Sequence, residues 1–281
     1  MQNILIIGAD STIGAHLKKH CDAHGKTVYG TTRHANRCTE TTFFLDLLNP
    51  DAFHIPYHIT IDTVVFCAAM STIKECEENK EKSYQINVTS PITLATYLKN
   101  RFNPFMIFLS SNAVFNGSKP FCLETEPPCP INYYGQCKVE TEKKLAKITN
   151  KLTILRMTKV LHPDHALIKK WIHDLKNGEK IYPFTDLMLA PISLDMVSTA
   201  IEKLSALKKS GIFHLSGKQD ITYAELAKMI GKKINVNESL IIQTQDIEPN
   251  IKIYNSLATH NTQKILSLLS QHHENVFSDL F

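Results

Sequence analysis

A glycine-containing turn near the start of the chain constrains the fold more than any other feature. The apolar run Asn3–Ile7 leads directly into the segment GADSTIG at 8–14, and a helical pattern follows over Thr12–His24. Gly8 lacks a Cβ and can adopt a tight turn, while Gly14 lets the helix pack close to the strand. A strand, a tight turn and a helix in this order predict the first part of a βαβ unit.

The same turn is a candidate site for an anion. The first turn of a helix carries unpaired N–H groups and the positive end of the helix dipole, and both suit a pyrophosphate. The Ser11 hydroxyl could donate a further hydrogen bond to a phosphate. An ordinary strand–turn–helix that binds nothing is the alternative. The contacts that we expect come from Gly8, Ser11, Thr12, Ile13 and Gly14.

Strand and helix patterns alternate over the first 160 residues, which predicts parallel βαβ units. The fourth strand is almost continuously apolar, as expected for a strand covered on both faces. Together these patterns predict an α/β fold with a Rossmann-type, doubly wound parallel sheet. Predicted strands are Asn3–Ile7, Lys26–Thr31, Phe43–Leu45, Asp62–Cys67, Pro104–Ser110 and Leu152–Arg156. Predicted helices are Thr12–His24, Ile73–Asn79, Ser83–Arg101 and Tyr133–Thr149.

The alternation loosens after residue 160, which predicts a Rossmann domain over 1–160 and a small C-terminal α/β lobe over 161–281. The two units can interleave. The segment 240–281 has weak periodicity and is left mostly unassigned. Predicted helices in the lobe are Ala166–Asn177, Leu194–Lys208 and Tyr223–Ile230, and predicted strands are Glu179–Tyr182 and Gly211–Leu215.

The end of the second strand bears on the choice between nicotinamide cofactors. An acidic residue there would accept a hydrogen bond from the ribose 2′-hydroxyl of NAD. The chain instead reads Gly30-Thr31-Thr32-Arg33, with Arg37 one turn later. A guanidinium pairs with a 2′-phosphate through two hydrogen bonds, so the sequence favours NADP over NAD. The alternative is that Arg33 is an ordinary solvated arginine.

Tyr134 and Lys138 form a candidate catalytic pair, because residues four apart share one face of a helix. A nearby ammonium would lower the pKa of the phenol, which could then exchange a proton with a carbonyl oxygen. Ser111 follows the fifth strand, and open α/β sheets bind ligands at this edge. Its hydroxyl could bond the same oxygen. The alternative is that Tyr134 and Lys138 are an ordinary pair on an exposed helix surface, where this spacing is common.

The fourth strand ends in the same region. Ala68, Ala69 and Met70 follow it, and the small residues among them let a flat ring approach the backbone. Asn87, on the next helix, is either a buried bridge to the site or a surface amide.

Composition excludes several classes of function. The formal net charge is +4, from 31 basic and 27 acidic residues, which is too small an excess for a nucleic-acid-binding protein. No apolar run approaches the roughly 18 residues that span a bilayer, so no membrane association is expected. Seven cysteines without a C-x-x-C pair favour a cytoplasmic location. The histidines show no recognised ligand spacing, so no metal site is predicted.

These residues together resemble the extended short-chain dehydrogenase/reductase family, and within it the dTDP-4-dehydrorhamnose reductase-like, sugar-nucleotide-binding branch. The resemblance is carried by GADSTIG, FCAAMST, SSNAVFNG, PINYYGQCK and LTILRMT, and by APISLDM and GIFHLSG in a C-terminal substrate-binding lobe. It implies that Ser111, Tyr134 and Lys138 are catalytic, and that Tyr134 and Lys138 also contact the cofactor. It also implies that Asp46 and Leu47 contact adenine, and that Met70, Ser111, Asn112 and Arg156 contact the substrate.

Three departures from that branch stand out. Ser11 replaces the middle glycine of the turn, Asn112 stands where aspartate is usual, and the run 157–160 differs from the usual one. The function that the resemblance implies is NADPH-dependent reduction of a nucleotide-linked 4-keto sugar. Two alternatives stay open, which are an epimerase that retains NAD and a non-catalytic, NADP-binding regulatory subunit. A homodimer is expected from base rates alone.

Overall fold

The computed structural model describes residues 2–245, 253–278 and 280–281. The strands are β1 (Asn3–Ile7), β2 (Thr27–Thr32), β3 (Thr42–Phe44), β4 (Thr63–Phe66), β5 (Phe105–Ser111), β6 (Leu152–Met157), β7 (Val160–Leu161), β8 (Met188–Leu189), β9 (Ile192–Ser193), β10 (Gly211–Leu215) and β11 (Ile221–Thr222). The helices are α1 (Thr12–Ala23), α2 (Ile73–Glu78), α3 (Lys80–Tyr84), α4 (Ser90–Phe102), α5 (Tyr133–Ile148), α6 (Ala166–Lys176), α7 (Leu194–Leu207), α8 (Tyr223–Lys233), α9 (His260–Leu266) and α10 (His273–Ser278).

In the described part of the chain, seven parallel strands form the central sheet in the order β10-β6-β5-β4-β1-β2-β3. Successive side chains of a strand point to opposite faces, so Ile4 and Ile6 enter one core while Leu5 and Ile7 enter the other. Helices α1 and α7 cover the first face, and α4 and α5 cover the second. The Rossmann-type, doubly wound fold predicted from the sequence is therefore confirmed.

A third core lies in the C-terminal part of the chain. It is built from α6, α8 and the end of the chain, with Ile168, Trp171, Leu226 and Val276 among its buried residues. Residues beyond 160 also complete the first core, because β10 pairs with β6 and α7 packs against α1.

Most predicted elements agree with the structure to within one or two residues. The predicted helix Tyr223–Ile230 ends three residues too early, since α8 continues to Lys233, and two other predictions fail. The predicted strand Glu179–Tyr182 is wrong, since within it Ile181 forms only an isolated bridge to Ile241. The predicted helix Ser83–Arg101 is wrong at its start. The helical stretch begins at Lys80, and a π-helical segment at Gln85–Thr89 joins α3 to α4. Within the described residues, no helix has both the length and the apolar character needed to span a membrane.

A buried ion pair ties α5 to the sheet. The Arg156 Nη2 donates to Glu142 Oε2 at 2.7 Å, and the Arg156 Nε donates to Glu142 Oε1 at 3.1 Å. The Ser110 hydroxyl donates to the same carboxylate. Both charged residues are buried, so each depends on the other for compensation.

We expect Glu142→Gln to lower the free energy of unfolding by about 3 kcal/mol, because it leaves the Arg156 charge buried without a counter-ion. Glu140, on the same helix, pairs with Lys144 at the surface, so Glu140→Gln should cost less than about 1 kcal/mol. Urea denaturation of the two variants measures the difference. Equal losses would contradict the account of the buried pair.

Candidate functional site

A cavity of about 670 Å³ lies at the carboxyl edge of the sheet, beside the ends of β1, β2 and β4. It combines the glycine turn, the end of β2 and the segment that follows β4. The predicted cofactor residues that line it are Gly8, Ser11, Arg33, Asp46, Leu47, Ala68 and Ala69, together with Met70. Thr12, Ile13 and Gly14 are not among the residues that line the cavity; they form the first turn of α1.

The two glycines of the turn are required by close packing. Gly8 has φ +86°, and a Cβ on it would lie 2.5 Å from the Ala68 Cβ. A Cβ on Gly14 would collide with the carbonyl oxygen of Gly8. A side chain at either position would force the start of α1 away from the sheet, so the turn is a cradle that only glycine permits.

Ser11 is the N-cap of α1. Its hydroxyl donates to the Gly8 carbonyl at 2.7 Å and accepts from the Gly14 N–H at 3.1 Å. The expectation that this hydroxyl could donate to a phosphate is wrong here, because its proton is already given to the turn. Among the described residues, the backbone N–H groups of Thr12 and Ile13 have no hydrogen-bond partner, so they are the donors left for an anion.

The end of β2 holds a carboxylate that the sequence analysis missed. Asp10 comes from the turn, accepts a hydrogen bond from the Thr32 hydroxyl and lies 3.9 Å from the Arg37 guanidinium. Arg33 is exposed and lines the same cavity. Asp10 lies about 20 residues before the end of β2 in the chain, so the sequence around Gly30–Arg33 does not indicate that the turn brings it there.

On the other side of the cavity, two side chains fix the backbone at Leu47 and at Met70 by hydrogen bonds. Ser90 donates to the carbonyl of Leu47. Asn87 is 2 % exposed, accepts from the Met70 N–H at 3.0 Å and donates to the Met70 carbonyl at 2.9 Å. Asn87 is therefore a buried bridge that fixes the backbone after β4, which was one of its two predicted roles.

The structure brings Ser111, Tyr134 and Lys138 together where β5 ends and α5 begins. The Lys138 ammonium donates to the Leu109 carbonyl at 2.9 Å and lies 5.6 Å from the centre of the Tyr134 ring. The Ser111 hydroxyl, which accepts from the Ala113 N–H at 3.1 Å, lies close enough to the Tyr134 phenol to lower the pKa of the phenol. None of these three described residues lines the 670 Å³ cavity, so they mark a second part of the same edge.

Gly135 explains how α5 comes so close to β5. A Cβ at this position would collide with the carbonyl oxygen of Ala113, two residues after the end of β5. Asn132 caps the helix by accepting from the Gly135 N–H at 2.8 Å. Because Gly135 has no side chain, α5 can approach the end of β5 closely, and this places the adjacent Tyr134 beside the end of the strand.

Burial controls the protonation of the pair. It raises the pKa of the Tyr134 phenol, the nearby Cys76 raises it further, and the bond with Ser111 lowers it. Burial also lowers the pKa of Lys138 to about 8, while Glu142 acts in the opposite direction. The sequence predicts that the Lys138 ammonium lowers this pKa, but burial is the largest effect on it and raises it. The phenol is therefore protonated at neutral pH.

Two residues predicted to contact the substrate have other partners. Arg156 is 2 % exposed and its guanidinium pairs with Glu142, so it stands behind the site and does not line it. The Asn112 side-chain amide donates to Asn255, which in turn donates to the Met188 carbonyl. Asn112 therefore joins the end of β5 to the C-terminal part of the chain.

A Rossmann sheet with a glycine turn at β1 and a Ser–Tyr–Lys group at the carboxyl edge defines an NAD(P)-dependent oxidoreductase of the extended short-chain dehydrogenase/reductase type. The comparison with protein families agrees. The chain belongs to the family described as the RmlD substrate binding domain, whose model matches residues 1–273.

Curated relatives and a solved structure show the range of this family. The "Probable low-salt glycan biosynthesis reductase Agl14" of Haloferax volcanii is 26 % identical over 84 % of this chain and 81 % of its own length. Methionine adenosyltransferase 2 subunit beta of Danio rerio is 24 % identical over 86 % of this chain and 76 % of its own. The dTDP-4-dehydrorhamnose reductase of Bacillus anthracis in complex with NADP superposes with a TM-score of 0.85 at 21 % identity, covering 100 % of this chain and 98 % of its own.

We expect Ser11→Ala to lower the free energy of unfolding by about 1 kcal/mol, because it removes the N-cap bond to Gly14. Ser11→Gly, which restores the glycine usual in the branch, should cost only a few tenths of a kcal/mol. Urea denaturation compares the two. If the alanine variant is as stable as the wild type, the serine is not acting as the cap.

Proposed function

We propose that the protein reduces a nucleotide-linked 4-keto sugar with NADPH. The observation that carries the proposal is the convergence of Ser111, Tyr134 and Lys138 at the β5–α5 edge, beside a cavity that ends at the glycine turn. The named relatives support it, since one is called a glycan biosynthesis reductase and another a dTDP-4-dehydrorhamnose reductase. A keto sugar on a nucleotide suits an edge that offers one proton donor and one hydroxyl.

The residues of the edge fit a dinucleotide. The Gly8 cradle leaves room for a pyrophosphate where any Cβ would intrude, and the N–H groups of Thr12 and Ile13 face no partner of their own. Arg33 and Arg37 would hold the 2′-phosphate of NADP, while Asp10 keeps Arg37 at the end of β2. Asp46 and Leu47 would border the adenine, and Ala68 and Ala69 the ribose.

NADPH supplies the hydride when it is bound, and the chain supplies the rest of the chemistry. Tyr134 holds its proton because its pKa is raised, so the phenol would donate that proton to the substrate oxygen. Ser111 would orient the same oxygen through its hydroxyl. Lys138 places a positive charge 5.6 Å from the Tyr134 ring and would stabilise the phenolate that forms.

Substrate specificity follows from the second part of the edge. Asn112 directly follows Ser111 there and is fixed by Asn255 from the C-terminal part of the chain, while Met70 lines the neighbouring cavity. Because Arg156 is used in the buried pair with Glu142, we do not place it on the sugar. We also propose a cytoplasmic location, which the unpaired cysteines of the structure support. The homodimer stays a prediction.

We expect Tyr134→Phe to lower kcat by about 10²–10⁴-fold in an assay of NADPH oxidation with dTDP-4-dehydrorhamnose, because it removes the proton donor. Tyr133→Phe is the matched control, since it removes the neighbouring phenol of the same helix and should keep kcat within about twofold. Full activity in Tyr134→Phe would contradict the proposal. NADPH binding without turnover of any keto-sugar nucleotide would instead favour a regulatory subunit.

We expect kcat/KM for NADPH to fall above pH 8, because the pKa of Lys138 is about 8 and its positive charge is lost as the pH rises through that value. One required proton predicts a fall of about tenfold per pH unit. Lys143→Ala, which removes an exposed lysine of the same helix, should leave the profile unchanged. A profile that stays flat to pH 10 would show that the charge of Lys138 is not needed.

A further inference from the structure

Helices α1 and α7 meet along a polar seam on one face of the sheet. His16 contacts Asp195 at 3.3 Å and Ser198 at 2.9 Å, and one turn further along α1 the imidazole of His20 contacts Glu202. His24 follows after another turn. Histidines at four-residue spacing thus line the side of α1 that faces the carboxylates of α7.

The last turn of this seam gathers three metal-ligating groups. The His20 Nε2 lies 2.8 Å from the Glu202 Oε2, and the His24 Nδ1 lies 3.7 Å from the same oxygen. The ligand atoms of the three residues all lie within 4.8 Å of one another. The two imidazole rings are 4.5 Å apart between centres, so both reach the same side of Glu202.

Two imidazole nitrogens and one carboxylate oxygen form a donor set that suits zinc and neighbouring divalent metals. Zinc needs ligand distances of about 2.0–2.2 Å, and small side-chain rotations from the present separations would provide them. The neutral tautomers must leave the His20 Nε2 and the His24 Nδ1 unprotonated, so the His24 Nδ1 gives up its 2.9 Å contact with the His20 carbonyl.

The three side chains of the cluster differ in their exposure to solvent. The side chain of His20 is 14 % exposed and that of Glu202 is 24 % exposed, so both are held in place by the helix interface. The side chain of His24 is 53 % exposed, which leaves one open side through which an ion and a water ligand could enter. Three protein ligands with an open fourth position are a common arrangement for bound zinc.

We propose that His20, His24 and Glu202 bind a divalent transition metal ion, with Zn²⁺ as the representative case, which bridges α1 and α7. The sequence predicted no metal site, because Glu202 lies far from the two histidines in the chain. The ion would stabilise the folded chain, since it binds an arrangement that the unfolded chain lacks. The proposal does not depend on the proposed function, because the cluster lies at the opposite end of α1 from the glycine turn.

The test is a titration of the full chain with Zn²⁺ in chelator-free buffer, followed by calorimetry and by thermal unfolding. We expect saturable binding that includes a site lost, or weakened at least tenfold, in His24→Ala and in Glu202→Gln. The melting temperature should rise with Zn²⁺ in the wild type and much less in either variant. His24 is exposed, so His24→Ala should fold and melt close to the wild type without metal.

His272→Ala is the matched control, because His272, His273 and Glu274 form another cluster of ligating groups in the described residues. Zinc binding and stabilisation that survive His272→Ala but not His24→Ala support the proposal. Loss of both in His272→Ala alone would place the metal at the other cluster. If zinc binding and the rise in melting temperature are the same in His24→Ala and in the wild type, the seam contains only hydrogen bonds between the helices. Either of these last two outcomes overturns the proposal.

Discussion

The contact between the first turns of α5 and the end of β5 is the constraint on which the site depends. Gly135 lets the helix touch the backbone at Ala113, and from there Tyr134, Lys138 and Glu142 follow at four-residue spacing along one face. Each turn makes its own contact with the sheet edge: the phenol with Ser111, the ammonium with the Leu109 carbonyl, and the carboxylate with Arg156 of β6.

This arrangement also sets the electrostatics of the edge. Burial in a low-dielectric interior disfavours charge, so it keeps the phenol protonated and makes the lysine a weaker base. Glu142 opposes the effect on Lys138 while it compensates Arg156. The buried Glu142 carboxylate thus favours the charged form of Lys138 beside the proposed reaction centre. It also pairs with Arg156 and so anchors α5 to the sheet, which means that loss of this carboxylate should affect both stability and activity.

The sequence predicts what depends on local pattern and fails where distant segments meet. Apolar strands, the Gly8 turn and the Tyr134–Lys138 spacing are local, and the fold and the meeting of Ser111 with that pair follow from the rule that parallel strands end at one edge. Asp10 at β2 and the burial of Arg156 could not be predicted, because each depends on a side-chain partner from another element. The π-helical turn around Asn87 has no sequence signal that we recognise.

We propose that this edge transfers a hydride from NADPH to a sugar carbonyl, and isotope transfer tests this reaction most directly. The protein is incubated with NADPH deuterated at C4 of the nicotinamide, in separate samples for the two faces, and with a dTDP-linked 4-keto sugar. Deuterium should appear at C4 of the sugar from one face only, as detected by nuclear magnetic resonance. Saturable NADPH binding with no deuterium in any keto-sugar nucleotide would contradict the claim.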